Sequence, residues 1–156
     1  NVHQGTRKYF FSRNEFLKVY SLKKGPLKDT NKIDFDNEVN FLENTPLKFK
    51  AAKLKSYCEK GESLYLLREK IDGNSLSELI SEEKDYDAEK VINDVLIQLV
   101  LLEKSGLYHN DLRTWNTLIT AKGNAKIIDY GSISSEAGDC TWPFDRFIAF
   151  AIFVHD

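Results

Sequence analysis

Three residues carry the chemistry this chain offers most directly. They are a carboxylate (Asp111), a side-chain amide (Asn116) and a second carboxylate (Asp129). They lie in Tyr108-His109-Asn110-Asp111-Leu112-Arg113-Thr114-Trp115-Asn116 and in Asp129-Tyr130-Gly131. Phosphoryl transfer from a magnesium nucleotide asks for little more, because positioning and charge neutralisation supply most of its catalysis. One carboxylate has to receive or orient the acceptor hydroxyl. An amide oxygen and another carboxylate have to hold the metal ions that bridge the phosphates. Asp111 offers the first role, Asn116 and Asp129 the second. A polar turn between two strands is the structural alternative, but such a turn has no need of Asp, Asn and Asp together.

Elements of the right kind surround these residues. Lys8–Phe11 and Phe16–Tyr20 read as strands around a polar turn, and Asp34–Glu43 as a helix that Pro46 ends. Phe49–Tyr57 and Ser63–Arg68 form a second hairpin, Asp72-Gly73-Asn74 is a turn, and Ser75–Ser81 a short helix. The clearest helix runs from Ala88 to Lys104, with Asp87 as its N-cap and Gly106 at the left-handed position beyond its end. A strand into His109, a strand at Thr117–Thr120, a turn at Lys122-Gly123-Asn124 and a strand at Ala125–Ile128 follow, and a last helix begins near Phe144 or Asp145. Strands gather early and helices late, which predicts an α+β protein.

The composition, 42% hydrophobic and 29% charged over 156 residues, is that of one ordinary globular domain. No apolar run is long enough to span a membrane, and no secretory signal pattern is present. Residues 1–60 hold 13 Lys/Arg against 7 Asp/Glu, whereas residues 61–156 hold 9 against 17. That asymmetry reads as solvated faces, or as a basic half near phosphates or an anionic acceptor. No basic run interleaves with aromatics, so nucleic acid is not an expected partner. Cys58 and Cys140 read as two free thiols. The chain has no methionine and ends in the apolar run Phe147–Val154, which makes both ends look cut from a longer polypeptide.

His109-Asn110-Asp111 with Asn116, followed by Asp129-Tyr130-Gly131, resembles the catalytic loop and metal-binding turn of the protein-kinase-like superfamily. The resemblance implies a two-lobed kinase-like fold truncated at both ends. A small β-rich N-lobe with one helix (1–68) and a hinge (69–74) would precede a mostly helical, partial C-lobe (75–156), with ATP and Mg2+ in the cleft. It implies roles for further residues. Lys18 would contact the α- and β-phosphates, and Glu38, with Glu43 as the fallback in helical register, would orient it. Asp111 would be the base, Arg113 would sit near the γ-phosphate, and Asn116 and Asp129 would hold metal. Leu118 would pack beneath adenine, and Glu69, Lys70 and Ile71 would form the link whose backbone meets the base. His109 would pack under the loop, Gly131 would free the backbone after Asp129, and Asp145 would brace the catalytic loop.

Several positions depart from that pattern. Asn110 stands where an arginine normally precedes the catalytic aspartate, which argues against control by a phosphorylated loop. Only Gly131–Phe144 separates Tyr130 from Asp145, too short for a peptide platform. Gly5 is the one glycine before Lys18, so no glycine-rich loop is legible. Phe16 would crowd the adenine roof, and Arg68 lies where an apolar gatekeeper is usual.

Leu66-Leu67-Arg68-Glu69-Lys70-Ile71, Arg113-Thr114-Trp115-Asn116 and Asp139-Cys140-Thr141-Trp142-Pro143 resemble the kinase domain of bacterial O-antigen chain-terminating kinase/methyltransferases. That likeness implies the terminal sugar of a lipopolysaccharide O-chain as acceptor and a methyltransferase domain in the same polypeptide. It also implies a cytoplasmic place, with peripheral membrane association through the rest of the polypeptide at the inner face of the inner membrane. A small-alcohol kinase of the choline-kinase type, a Ser/Thr protein kinase and a non-catalytic binding module remain as alternatives. Trp115 is either a packing residue or an aromatic face for a sugar ring.

Overall fold

The computed structural model describes residues 5–135 and 146–155. The chain opens with strands β1 (Arg7–Phe11) and β2 (Glu15–Ser21), then helix α1 (Lys28–Glu43), then β3 (Leu54–Lys60) and β4 (Ser63–Glu69). These four strands form an antiparallel sheet in the order β1-β2-β4-β3. Along β2 and β4 every second residue is buried, so Phe16, Lys18 and Tyr20 share the inner face with Leu64, Leu66 and Arg68. Helix α1 covers that face through Phe35, Glu38, Val39 and Leu42.

Helix α1 starts six residues before the expected Asp34, and its opening turns explain why. They are polar except for Ile33, so hydrophobic periodicity does not register there. Their inward residue is Asn31, which is fully buried and hydrogen-bonded on three sides. Asn31 Oδ1 accepts from Arg7 Nε at 2.8 Å, while its amide nitrogen donates to the Ser21 carbonyl at 2.9 Å and to Thr6 Oγ1 at 3.1 Å. A polar core residue anchors the helix to β1 and β2 where an apolar one was sought. The third strand differs in the other direction. Residues 49–53 lie outside the ladder because Phe49 turns inward onto Phe41, with ring centroids 5.3 Å apart.

After β4, residues 70–73 carry the chain into β5 (Asn74–Ser75), helix α2 (Leu76–Ser81) and helix α3 (Ala88–Lys104). Gly73 is required in that passage, since a Cβ there would meet the Ile119 carbonyl oxygen at 2.8 Å. Helix α3 begins as its sequence predicts, with Asp87 Oδ1 accepting from Lys90 N at 2.9 Å. It ends before Gly106, whose φ of 67° is left-handed. Its buried stripe of Val91, Val95, Leu99 and Leu102 forms the second half of the core.

Strands β6 (Tyr108–His109), β7 (Thr117–Ile119), β8 (Ala125–Ile127) and β9 (Ile133–Ser134) then make two small ladders, β5-β7-β8 and β6-β9. Helix α4 (Arg146–His155) closes the chain and buries Phe153. Cys58 is an exposed free thiol. Asp145, Cys140 and the motif from Asp139 to Pro143 lie outside the described residues. No helix among the described residues is long and apolar enough to cross a membrane.

Candidate active site

The two small ladders flank the segment from His109 to Asn116 at the base of a cleft beneath the four-stranded sheet. The loop after β6 passes Asp111 and enters a single 3-10 turn at Thr114–Asn116, which delivers Asn116 to the start of β7. Asn116 is buried, and its amide nitrogen donates to both the carbonyl of Asp111 at 2.8 Å and Asp111 Oδ2 at 2.7 Å. These two hydrogen bonds fix the Asp111 carboxylate and commit the nitrogen end of the amide. It leaves Asn116 Oδ1 as the atom suited to a hard cation.

His109 sits below the same loop, buried, with Nε2 2.9 Å from the Ile128 carbonyl and Nδ1 accepting the Asp111 backbone N–H at 3.3 Å. A carbonyl only accepts, so the proton belongs on Nε2, and burial lowers the imidazole's pKa. His109 is thus a neutral strut between the catalytic loop and the strand that leads into Asp129, as a packing residue should be.

Asp129 adopts φ 62°, a left-handed conformation that aspartate tolerates better than most residues. The turn points its carboxylate back at the sheet. Oδ1 accepts from Lys18 Nζ at 2.9 Å, and Oδ2 accepts from Ser132 Oγ at 3.1 Å. Burial alone would raise the pKa of Asp129, but the Lys18 ammonium overrides it and holds the carboxyl well below the usual carboxylate range. The backbone freedom anticipated at Gly131 therefore resides at Asp129 itself. Gly131 is needed for a different reason: a Cβ there would meet the Asp34 carbonyl oxygen of α1 at 2.9 Å. Between them, Tyr130 is fully buried against Phe41, and its hydroxyl accepts from Ala52 N at 3.2 Å.

Lys18 reaches the cleft from the middle of β2 and is almost wholly buried. Besides Asp129 it meets Glu38 Oε2 at 3.0 Å. Burial works to lower its pKa, yet Glu38 and Asp129 together raise it, so the ammonium stays charged. Glu38 is fully buried and is the α1 carboxylate that pairs with Lys18. Glu43, the alternative in helical register, accepts from Tyr57 Oη at 3.0 Å on the exposed side. Glu38 also accepts from Tyr20 Oη at 2.7 Å and from Arg68 Nε at 3.3 Å.

Arg7, Tyr9, Phe16, Lys18, Asp34 and Arg68 line a cleft of about 580 Å³ from above, and Asp111, Trp115, Asn116 and Asp129 line it from below. A larger hollow of about 730 Å³ opens among Lys8, Lys23, Lys24 and Lys28 and shares no lining residue with the cleft. Trp115 is half exposed, with 53% of its surface accessible, and is not a core residue. Phe16 fills the roof under Tyr9 and Phe11. The cleft thus joins Lys18, Glu38, Asp111, Asn116 and Asp129 through direct bonds or a shared wall.

Arg113, Leu118 and the link lie differently. The Arg113 guanidinium folds back to donate to the Leu112 carbonyl at 2.7 Å and does not line the cleft. Leu118 is half-buried in β7 and is likewise absent from the cleft wall. In the link, the Glu69 carbonyl accepts from Arg68 Nη1 at 3.0 Å, and Lys70 N–H donates to the Asn14 carbonyl at 3.0 Å. Among the described residues, Ile71 is the member of the link with no backbone hydrogen bond. Arg7 and Asp34 are cleft residues that motif spacing could not single out, and Arg68, noted in the sequence only as a departure at the gatekeeper position, lines the cleft as well. Asp34 pairs with Arg7 across β1 and α1, and burial raises its pKa.

Hard oxygen donors at Asp129 and Asn116 Oδ1 suit Mg2+. Among the described residues no group of three or more His, Cys, Asp or Glu forms a self-sufficient metal site. A cation here would take its remaining ligands from phosphate and water.

Comparison with known proteins matches residues 11–142 to the protein kinase domain. The chain is 34% identical over 99% of its length to the O-antigen chain terminator bifunctional methyltransferase/kinase WbdD of Escherichia coli, and spans 23% of that protein. The crystal structure of monomeric WbdD superposes with a TM-score of 0.88 at 32% identity, over 99% of this chain and 37% of that one. Hormonally up-regulated neu tumor-associated kinase homolog B of Xenopus laevis is 33% identical over 55% of the chain and 14% of its own length. The chain thus spans about a quarter of the WbdD polypeptide it matches.

Proposed function

The chain belongs to the protein kinase domain family, and from that membership we propose that it transfers the γ-phosphoryl group of Mg-ATP to the terminal sugar hydroxyl of a lipopolysaccharide O-antigen chain. The single observation that carries the phosphotransfer reading is the cluster of Lys18, Glu38 and Asp129, with Asp111 and Asn116 on the same cleft wall. In this reading Lys18 engages the α- and β-phosphates and Glu38 holds Lys18. Asn116 and Asp129 would hold the metal. Ile71, with Glu69, borders the base from the link, and Leu118 supports it from below. When bound, Mg2+ would supply neutralisation of the phosphate charge.

The acceptor hydroxyl attacks the γ-phosphorus in line, the bond to the ADP oxygen breaks, and the hydroxyl proton passes to Asp111. Asn116 holds Asp111 Oδ2, so the carboxylate meets the acceptor in a fixed orientation. Arg113 reaches the γ-phosphate by swinging away from the Leu112 carbonyl.

Two observations support a glycan over a peptide. The similarity to WbdD, named as an O-antigen chain terminator, spans the whole chain. Trp115 also exposes its ring at the cleft mouth, a surface suited to a sugar. The relative's name as a bifunctional methyltransferase/kinase supports a fusion to a methyltransferase; we further propose that the domain works in the cytoplasm, brought to the inner face of the membrane by the rest of the polypeptide. Radiolabel from ATP should pass to an oligosaccharide that mimics an O-chain terminus and not to generic peptides. Strong labelling of peptides with none on glycans would restore the protein-kinase alternative.

A further inference from the structure

Glu38 carries more positive charge than one lysine supplies. Its Oε2 takes Lys18 Nζ and Tyr20 Oη, while Oε1 takes Arg68 Nε at 3.3 Å. Arg68 is itself more than nine-tenths buried. Its guanidinium carbon lies 4.3 Å from the centre of the Phe16 ring and 5.4 Å from that of Tyr130, and Nη1 is tied to the Glu69 carbonyl. The four charged groups Lys18, Arg68, Glu38 and Asp129 sum to zero inside the cleft wall.

That balance holds while Lys18 is shared between Glu38 and Asp129. Once phosphates replace Asp129 on Lys18, that ammonium shares its one charge between them and Glu38, and a buried carboxylate with no second cation would be left under-compensated, which is unfavourable. Arg68 is stacked between two rings and bound to the backbone, so it stays where it is. We infer that Arg68 is a positioning residue that keeps Glu38 compensated while Lys18 engages the nucleotide phosphates, so that α1 holds its place without a separate activating event. The inference rests on the reading of Lys18 as the phosphate-contacting residue.

The test compares Mg-ATP and adenosine binding by calorimetry in wild type, Arg68→Met, Arg68→Lys, Glu38→Gln and the Arg68→Met/Glu38→Gln pair. Melting curves establish that each variant is folded. Arg68→Met should weaken Mg-ATP binding on the order of tenfold and leave adenosine unchanged, because only the phosphates compete for Lys18. Arg68→Lys, which keeps a cation near Glu38, should recover most of the loss. In the Glu38→Gln background the Met substitution should shift Mg-ATP affinity by less than about twofold.

An equal loss for adenosine, an equal loss in the Glu38→Gln background, or no loss at all overturns the inference. If Arg68→Met does not fold alone, recovery of folding in the pair supports charge compensation and failure to recover refutes it. Wild type that binds no Mg-ATP defeats the kinase reading itself, a result distinct from all of these.

Discussion

Lys18 Nζ and Asp129 Oδ1 lie 2.9 Å apart although 111 positions separate them in the chain. This contact ties the sheet to the Asp129-Tyr130-Gly131 turn and helps keep both groups charged. The folded-state pKa of Asp129 is depressed, so its contribution to stability is complete above the ordinary aspartate value near 4. It drains away only as pH falls through the lower folded value. Between pH 7 and 5 this carboxylate stays ionised. Asp129→Ala should abolish metal-dependent nucleotide binding across that range. Calorimetry showing equal Mg-ATP affinity for variant and wild type would sink the assignment.

Asp111 is proposed to meet the acceptor, not the metal. Asp111→Asn should therefore leave Mg-ATP affinity intact while lowering turnover by roughly 10²–10⁴. Turnover within about threefold of wild type in a steady-state assay would remove Asp111 from the mechanism.

His109 gives a pH signature in stability. Its folded-state pKa lies below the unfolded value near 6.5, because burial disfavours the charged ring. As pH drops through 6.5 the unfolded chain takes up a proton first, so the native state loses stability until the folded pKa is passed. Urea unfolding at pH 7.5 and 5.5 should show this loss in wild type and a smaller one in His109→Gln. Identical slopes would show that His109 is not the group responsible.

Gly131→Ala places a methyl group against the Asp34 carbonyl, a contact that backbone alone must relieve. Shifting α1 draws Glu38 from Lys18. The variant should lose about 1–3 kcal/mol of stability and much of its nucleotide affinity. Unchanged melting and unchanged binding would mean that α1 yields freely there.

Trp115→Ala should raise the KM for a glycan acceptor at least about fivefold while leaving Mg-ATP affinity alone. An effect on ATP alone would move Trp115 from the acceptor side to the nucleotide.

The site was readable in sequence wherever chemistry and local geometry coincide. Asp111, Asn116 and Asp129 are close in the chain, and each occupies a turn whose neighbours are apolar, so spacing alone exposes them. Asp87 and Gly106 announce the ends of α3 for the same local reason. What stayed hidden depends on partners brought from afar. Asn31 looks like a surface residue until Arg7 and Ser21 close around it. Arg68 looks like a misplaced cation until Glu38 reaches it from α1. Arg113, a match in the motif, is turned aside by a carbonyl one residue away. Periodicity reports which faces are apolar and says nothing of buried charges that satisfy one another.

The bond from Ala52 N–H to the Tyr130 hydroxyl has a pharmacological consequence. A compound that gains its grip by expelling this ring from the core must leave a buried amide without an acceptor, and it meets the Arg68 guanidinium where such compounds seek an apolar recess. Ligands that leave Tyr130 in place strand no amide. Inhibitors of the first kind should discriminate against this domain, and those of the second kind should bind it.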